Sequence, residues 1–114
     1  MARYQYVVLA RAVEGREDEY KAWYDTQHLA DVQNVPGVLA ARRFNVAFQK
    51  VYDLDAPQYH SLAIYEIETD DPEGFLANIS SLGGTDAMPL TSALNKAGMI
   101  QIVALAAQCD PEPS

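Results

Sequence analysis

The sequence predicts one α+β domain with the element order β-α-β-β-α-β. Four segments are rich in β-branched, aliphatic and aromatic residues, which is typical of strands. The other two have apolar residues at helical spacing or begin with a helix-capping sequence. The chain has 114 residues, 49% of them hydrophobic, so it has the length of one domain and enough apolar side chain for a core.

The first strand is predicted over residues 3–12, and Gly15 ends it. Apolar residues fall on both of its faces, so we expect both faces to be covered. Residues 16–33 then have helical spacing, with three acidic residues in the first turn, where the helix dipole favours negative charge. One face of this helix carries Tyr20, Trp23, Tyr24, Gln27 and His28. Pro36-Gly37 follows the helix and ends it.

The second and third strands are predicted over residues 38–48 and 59–68, joined by a polar connection over 49–58. In the third strand Tyr65 lies on the face opposite to His60. One face of this strand carries Tyr59, Ser61, Ala63, Tyr65 and Ile67, and the other carries His60, Leu62, Ile64 and Glu66.

The second helix has the clearest start signal in the chain. Asp71 can cap it, Pro72 suits the first helical position, and Gly83-Gly84 ends it after about Leu82. Residues 85–97 are expected to form a loop with one short helical turn. The last strand is predicted over 99–109, so that residues 1–109 form a single domain and 110–114 a disordered tail.

This order is the split βαβ, or ferredoxin-like, arrangement: a four-stranded antiparallel sheet with both helices on one face. The other face of the sheet then needs covering, because the first and last strands are apolar on both faces. A second copy packed sheet to sheet about a two-fold axis would cover it. We therefore expect a homodimeric barrel.

The charge pattern excludes several classes of partner. The net charge is −8, from 16 acidic and 8 basic residues, so no basic stripe is available for nucleic acid or an anionic membrane. No run approaches the ~18 apolar residues that span a bilayer, and the N-terminus lacks a signal-peptide pattern. The single cysteine, Cys109, cannot form an internal disulfide, which suits the cytoplasm.

Motifs for common cofactors are absent from the sequence. It has no Gly-rich phosphate loop, no G-x-S-x-G and no Cys pair. The two histidines, His28 and His60, are not at the i, i+4 spacing that would support a metal site, although two histidines and scattered carboxylates leave one open. We therefore predict neither a metal nor a bound cofactor.

Three segments resemble a known family. They are 23–31 (WYDTQHLAD), 35–38 (VPGV) and 41–44 (ARRF), and together they resemble the dimeric α/β-barrel superfamily, within it the EthD-like proteins. The first helix of those proteins tends to carry W-Y-x-x-x-H, P-G-[FV] opens their next strand, and a basic-aromatic pair follows. Residues 63–75 also resemble their third strand and second helix, whereas Ala30 stands where relatives often have Pro.

The resemblance implies a fold and a substrate class. The superfamily includes cofactor-free monooxygenases of aromatic polyketides, polyketide cyclases, lactone isomerases and haem enzymes. We therefore expect a small hydrophobic substrate. The fold alone does not indicate which reaction is catalysed, because one fold carries many activities.

His28 is the first candidate for chemistry, because a neutral imidazole beside a hydrogen-bond partner can move protons near neutral pH. The alternative is a buried histidine hydrogen-bonded to backbone or to a tyrosine. Trp23 and Tyr24, on the same helical face, would form an aromatic wall against a flat ligand, or would be core residues. Asp25 could pair with His28 and raise its basicity, or could face water.

Other candidates lie on the strands. Tyr65 could shape the cavity or be a core tyrosine, and His60 could line the mouth of a pocket or be an exposed edge histidine. Arg42 and Arg43 point to opposite faces, so only one is directed inward. That arginine needs an anionic ligand or a carboxylate in a cross-strand or interface salt bridge.

The leading hypothesis is a cofactor-independent enzyme acting on a small apolar, aromatic or polyketide-like molecule. His28 would be the catalytic acid/base group in a cyclisation, isomerisation, dehydration or oxygenation, and Trp23, Tyr24, Tyr65 and His60 would bind the substrate. The alternative is a non-catalytic binding or accessory protein with the same cavity. A third possibility is a haem protein with His28 or His60 as axial ligand.

Overall fold

The computed structural model describes residues 2–107 and has the predicted fold class. Cys109 and the predicted tail lie outside the described residues. The elements in chain order are β1 (Ala2–Ala12), α1 (Glu17–Trp23), a π-helical segment (Tyr24–His28), α2 (Leu29–Gln33), β2 (Val38–Asn45), β3 (Ser61–Thr69), α3 (Pro72–Leu82) and β4 (Leu94–Leu105). The three consecutive helical segments over residues 17–33 are called the first helix below.

The four strands form one antiparallel sheet in the order β2-β3-β1-β4. Strands β1 and β3 are central, and Tyr6 lies opposite Tyr65 in their register. This is the strand arrangement expected of a ferredoxin-like βαββαβ fold.

Both helices pack on the same face of this sheet, which we call the covered face. Side chains from the first helix and α3 share one core with those of β1 and β3. Tyr6, Tyr20, Tyr65 and Ile67 are at most 2% exposed in that core. The predicted alternation in β1 and β3 is therefore confirmed, with residues 59, 61, 63, 65 and 67 buried and those between them half-buried. Asp71 also caps α3 as predicted, its Oδ1 accepting from the Gly74 N–H at 2.9 Å.

The opposite face of the sheet, called the bare face below, is also apolar. At its centre β1 contributes Val7 and Leu9, and Ile64 of β3 lies opposite Val7. On the edge strands Phe44, Ile100 and Ile102 are 43%, 37% and 47% exposed. Neither helix packs on this face, so its apolar side chains remain accessible.

The predicted strand bounds needed two corrections. Strand β4 begins at Leu94, five residues before the predicted start, and residues 85–93 form turns and a bridge between Gly83 and Met88 without a helical turn. The strand continues through Gly98 because the register of β4 against β1 shifts between Leu9 and Arg11 and Gly98 adopts a φ of 79°. A sequence pattern does not distinguish such a bulge from a break.

Strand β2 ends at Asn45, three residues before its predicted end, and β3 begins at Ser61. Residues 46–58 between them form an arm without regular structure. Its base is held by Gln49, whose amide donates to the Pro57 carbonyl at 2.8 Å and accepts from the Tyr59 N–H at 2.9 Å. The arm exposes apolar side chains: Phe48, Tyr52 and Leu54 are 84%, 72% and 75% exposed.

Within residues 2–107, no helix combines the length and the hydropathy needed to cross a membrane.

Candidate functional site

A cavity of about 190 Å³ lies between the first helix, the covered face of the sheet and the segment that follows α3. Its walls are mainly aromatic and aliphatic. Ser80 and Lys96 are exposed lining residues and therefore mark its mouth. The inner walls include Tyr6, Val8, Trp23, Tyr24, His28, Val32, Tyr65, Ile79, Met88, Leu90, Met99 and Gln101.

Four of the five predicted site residues line this cavity together: Trp23, Tyr24, His28 and Tyr65. His60 lies elsewhere, at a polar depression near the end of β1. Its Nδ1 atom accepts a hydrogen bond from the Ala12 N–H at 2.8 Å, which ties β3 to β1. This position gives His60 a structural contact and no contact with the His28 cavity.

The π-helical segment decides where His28 points. The ring of His28 stacks on Trp23, with centroids 4.5 Å apart and planes 22° apart, and meets Tyr24 edge-on at 4.9 Å. In an α-helix, residues five apart diverge by about 140° around the axis, so Trp23 and His28 would not stack. The wider π turn brings residues i and i+5 into line.

The same turn corrects one sequence expectation. Gln27, placed on the inner face by α-helical spacing, is exposed, while Val32 is buried one turn after His28. Within the π-helical segment, the Thr26 hydroxyl donates to the Ala22 carbonyl at 2.6 Å. That bond occupies the oxygen to which an α-helix would direct the Thr26 N–H.

His28 is mostly buried and electrically neutral at pH 7. Burial lowers the pKa of its imidazole to about 4. Its Nδ1 atom is buried and has no hydrogen-bond partner among the described residues. An unpaired buried polar atom at a cavity wall is costly, and a ligand hydroxyl could satisfy it.

Asp25 does not pair with His28 and instead binds Arg43. The guanidinium donates to the Asp25 carboxylate from two nitrogens, at 2.5 Å and 2.9 Å, and these bonds lower the Asp25 pKa. Arg43 is thus the inward arginine, its side chain 6% exposed and 5.7 Å from the centre of the Tyr24 ring, whereas Arg42 is exposed. The inward arginine therefore has a carboxylate partner, but the salt bridge joins the first helix to β2 and is not the cross-strand or interface pair expected from the sequence.

Hydroxyl groups form a second feature of the site. The Tyr24 and Tyr65 hydroxyls are 2.9 Å apart, and the Gln101 amide donates to the Tyr6 hydroxyl at 3.0 Å. Burial raises the pKa of Tyr6, Tyr24 and Tyr65 well above the usual value of a phenol. At pH 7 these groups are neutral, and the inner cavity therefore offers uncharged hydrogen-bonding groups.

Several residues that line this cavity were not among the site residues predicted from the sequence. Tyr6 follows from the alternation of β1, and Gln101 is the only polar residue of the segment 99–105, which is a signal that could have been used. Met88 and Leu90 come from a segment without periodicity, so no local pattern indicates that they line the cavity.

The volume limits the ligand. Drug-sized ligands occupy pockets of about 300–1,000 Å³, and an apolar cavity of about 150 Å³ holds benzene. A cavity of about 190 Å³ suits one or two rings and does not accommodate a porphyrin. Within residues 2–107, no group of three or more His, Cys, Asp or Glu side chains is placed to hold a metal ion.

A comparison with protein-family models found no match to this chain, and a search of curated proteins found none either.

Proposed function

We propose that this protein is a cofactor-independent enzyme that binds a small, flat, largely apolar molecule in the His28 cavity and uses His28 as its acid/base group. The observation that carries the proposal is the position of His28. Its neutral ring lies on Trp23 at the wall of an aromatic cavity, and its Nδ1 atom has no partner within the described residues. The resemblance of residues 23–31 to the EthD-like proteins supports the same class of substrate.

The low pKa of His28 restricts the reaction. A base with a pKa of about 4 takes a proton only from an acidic carbon or hydroxyl, or when an anion forms beside it and stabilises the imidazolium. An enolisable aromatic or β-dicarbonyl compound meets this condition. Cyclisation, isomerisation or dehydration of a one- or two-ring molecule then needs one proton removed and one returned. A positioned histidine typically contributes ~10²–10⁴-fold to such a step.

A non-catalytic binding protein is the second candidate, and one observation favours it. Catalytic histidines are commonly oriented by a carboxylate on the second ring nitrogen, whereas Asp25, the partner considered from the sequence, is engaged by Arg43. Asp31 is equally close to His28 in sequence, but its buried Oδ2 has no hydrogen-bond partner among the described residues. In this case the cavity would hold its ligand through stacking on Trp23 and hydrogen bonds to the tyrosines.

The variant His28→Phe separates the two candidates, because it keeps a flat ring beside Trp23 and removes the proton-carrying nitrogens. Wild type and variant would be incubated with a panel of naphthols and aromatic β-keto acids, with products followed by mass spectrometry and binding by calorimetry. The enzyme hypothesis predicts wild-type turnover that falls by about 10²-fold or more in His28→Phe. The control is His60→Phe, which lies outside the cavity: it loses the hydrogen bond from the Ala12 N–H but should keep the rate per folded molecule.

Two other outcomes decide against the enzyme. Turnover that His28→Phe leaves unchanged would remove His28 from the mechanism. Binding without turnover in the wild type would favour the binding protein.

The proposed assembly is a homodimer in which two bare faces pack against each other. Apolar side chains from all four strands occupy this face, including Phe44, Ile64 and Ile102. Interfaces of specific complexes bury about 1,200–2,000 Å² in total. Four strands about 4.8 Å apart and about 30 Å long give each face roughly 570 Å², so two packed faces would bury roughly 1,100 Å², near the lower end of that range. The apolar arm adjoins the same sheet and could extend the contact.

A further inference from the structure

We infer that the ligand of the His28 cavity carries a negative charge at one end, with its ring inside the cavity and its anionic group at the mouth beside Lys96. This inference rests on the proposed function, since it requires that the cavity bind a small apolar molecule. The chemical class is an aromatic carboxylate, or another ring compound with one ionised oxygen.

The first argument is the charge of the cavity wall. The chain has 16 acidic and 8 basic residues, so a wall chosen at random would contain more carboxylates than cations. Among residues 2–107, the lining contains no Asp or Glu, and its one charged side chain at pH 7 is Lys96. Burial lowers the pKa of His28 and so keeps it neutral, and the lining tyrosines are neutral phenols at pH 7. The site therefore disfavours a cation and leaves one positive group for an anion.

The second argument is the local structure that places Lys96 at the mouth. Strand β4 has a bulge here, between the residue pairs Leu9–Ile100 and Arg11–Asn95. Bulges re-aim side chains. Two hydrogen bonds hold the bulge, both from the Arg11 guanidinium to the Ala97 carbonyl, at 3.0 Å and 3.1 Å. Gly98, next in the chain, has a φ of 79°. A Cβ at Gly98 would lie 2.9 Å from Pro57, so the chain needs glycine there.

The third argument is the availability of the Lys96 ammonium. The ion pairs within residues 2–107 use Arg3, Arg16 and Arg43 as cations, and none includes Lys96. Lys96 is exposed, and it shares the β4 wall with Gln101, whose amide already donates into the site. An anionic group at the mouth would thus meet a hydrated cation at its outer side and neutral donors at its inner side.

Three probes with one ring system test the charge. The dissociation constants of 2-naphthoate, 2-naphthalenemethanol and 2-naphthylmethylammonium would be measured by calorimetry with the whole protein at pH 7 and low salt. Naphthoate should bind about two- to fivefold more tightly than the alcohol, because an exposed ion pair contributes at most about this factor. The ammonium compound should bind more weakly than the alcohol. Added salt should reduce the preference.

Variants of Lys96 then test whether this residue causes the preference for naphthoate over the alcohol. Lys96→Met should abolish the preference for naphthoate and leave the affinity for the alcohol within twofold, and Lys96→Arg should keep the preference. The matched control is Lys50→Met, which removes a lysine from the arm, 4.8 Å from the Tyr52 ring, away from the cavity.

The outcomes separate this inference from the proposed function. If the alcohol and naphthoate bind equally, or if Lys96→Met weakens both alike, the anionic class is wrong while the cavity still binds apolar rings. If none of the three probes binds, the proposed function fails and the inference fails with it.

Discussion

The two faces of the sheet differ in a way that neighbouring residues on one strand make clear. In β3, Tyr65 and Ile67 are at most 1% exposed on the covered face, while Ile64 on the bare face is only half-buried. In β4, Ile102 points to the bare face and is 47% exposed. Apolar side chains lie on both faces, yet the helices of residues 2–107 cover only one of them. The hydrophobic pattern alone therefore does not show which face is buried within the chain.

The chemistry of the molecule is also divided between the faces. The covered face holds the cavity, the linked hydroxyls and a histidine with a lowered pKa. The aliphatic side chains of Val7, Leu9 and Ile64 lie at the centre of the bare face. Arg3 pairs with Glu66 at 3.3 Å toward one end of this face, and the exposed Arg42 lies beside Ile64 on the edge strand β2. We therefore propose the covered face for ligand binding and the bare face for assembly.

The largest expected effect on stability comes from replacing one isoleucine with alanine on each face of the sheet and comparing the two losses. Ile67→Ala should lower the free energy of unfolding by about 2–5 kcal/mol, because it leaves a cavity in a packed core. Ile64→Ala, three positions earlier on the bare face, should cost less than about 1.5 kcal/mol in the monomer, where water already reaches the side chain. Urea denaturation at low protein concentration measures both. Equal losses of unfolding free energy in the two variants at low protein concentration would mean that the bare face is covered within the chain.

The next effect concerns assembly. Ile102→Asp places a charge on the proposed interface of both copies, and the lost burial of each isoleucine, about 1.5–3 kcal/mol, should weaken the dimer by at least about 100-fold. Sedimentation velocity across a concentration series measures the change. Ala77→Asp adds the same charge at an exposed position of α3 and should leave the dimer intact. A folded monomer in the wild type would refute the proposed dimer.

The smallest expected effect is a pH dependence of stability, which tests whether water reaches His28 on the covered face. The pKa of His28 is lowered to about 4 from an ordinary 6.5, so the unfolded chain binds this proton more readily than the folded one. The contribution of this pKa difference to the free energy of unfolding is fully present above pH 6.5 and is lost as the pH falls toward 4. Between pH 7 and pH 5 the wild type should lose about 2 kcal/mol more unfolding free energy than His28→Phe.

Urea denaturation at both pH values measures this difference, and His60→Phe controls for removal of a histidine. If wild type and His28→Phe respond alike to pH, water reaches the imidazole and the covered face is wetter at this point than its packing indicates.

Much of the fold could be predicted because local signals and hydrophobic periods agree. The residues of β3 that share one face and the Asp71 cap of α3 follow from residue types at fixed spacing. The early start of β4 could not be predicted, because it depends on a bulge stabilised by Arg11, 86 positions before Ala97. Long-range contacts of this kind leave no local pattern.

The site was predictable only in part, for the same reason. The aromatic residues near His28 in the sequence were found from the first helix and from the resemblance. The partner of Asp25 was not, since Arg43 lies on another strand and its inward direction depends on the register of β2. Lys96 and Met88 reach the cavity from segments that had no clear prediction.

The π turn has a consequence for comparing this chain with others. A π turn contains one residue more than the α-helical turn it replaces, so removing one residue, Asp25 or Thr26 for example, would restore an ordinary helix. In the shortened helix Trp23 and His28 would be four residues apart, about 40° around the axis, so the histidine would stay on the face of the tryptophan. In a homologue of equal length with a regular α-helix, the aligned histidine would instead lie about 140° from the tryptophan. Alignments should therefore be inspected for a single-residue gap at this point before function is transferred.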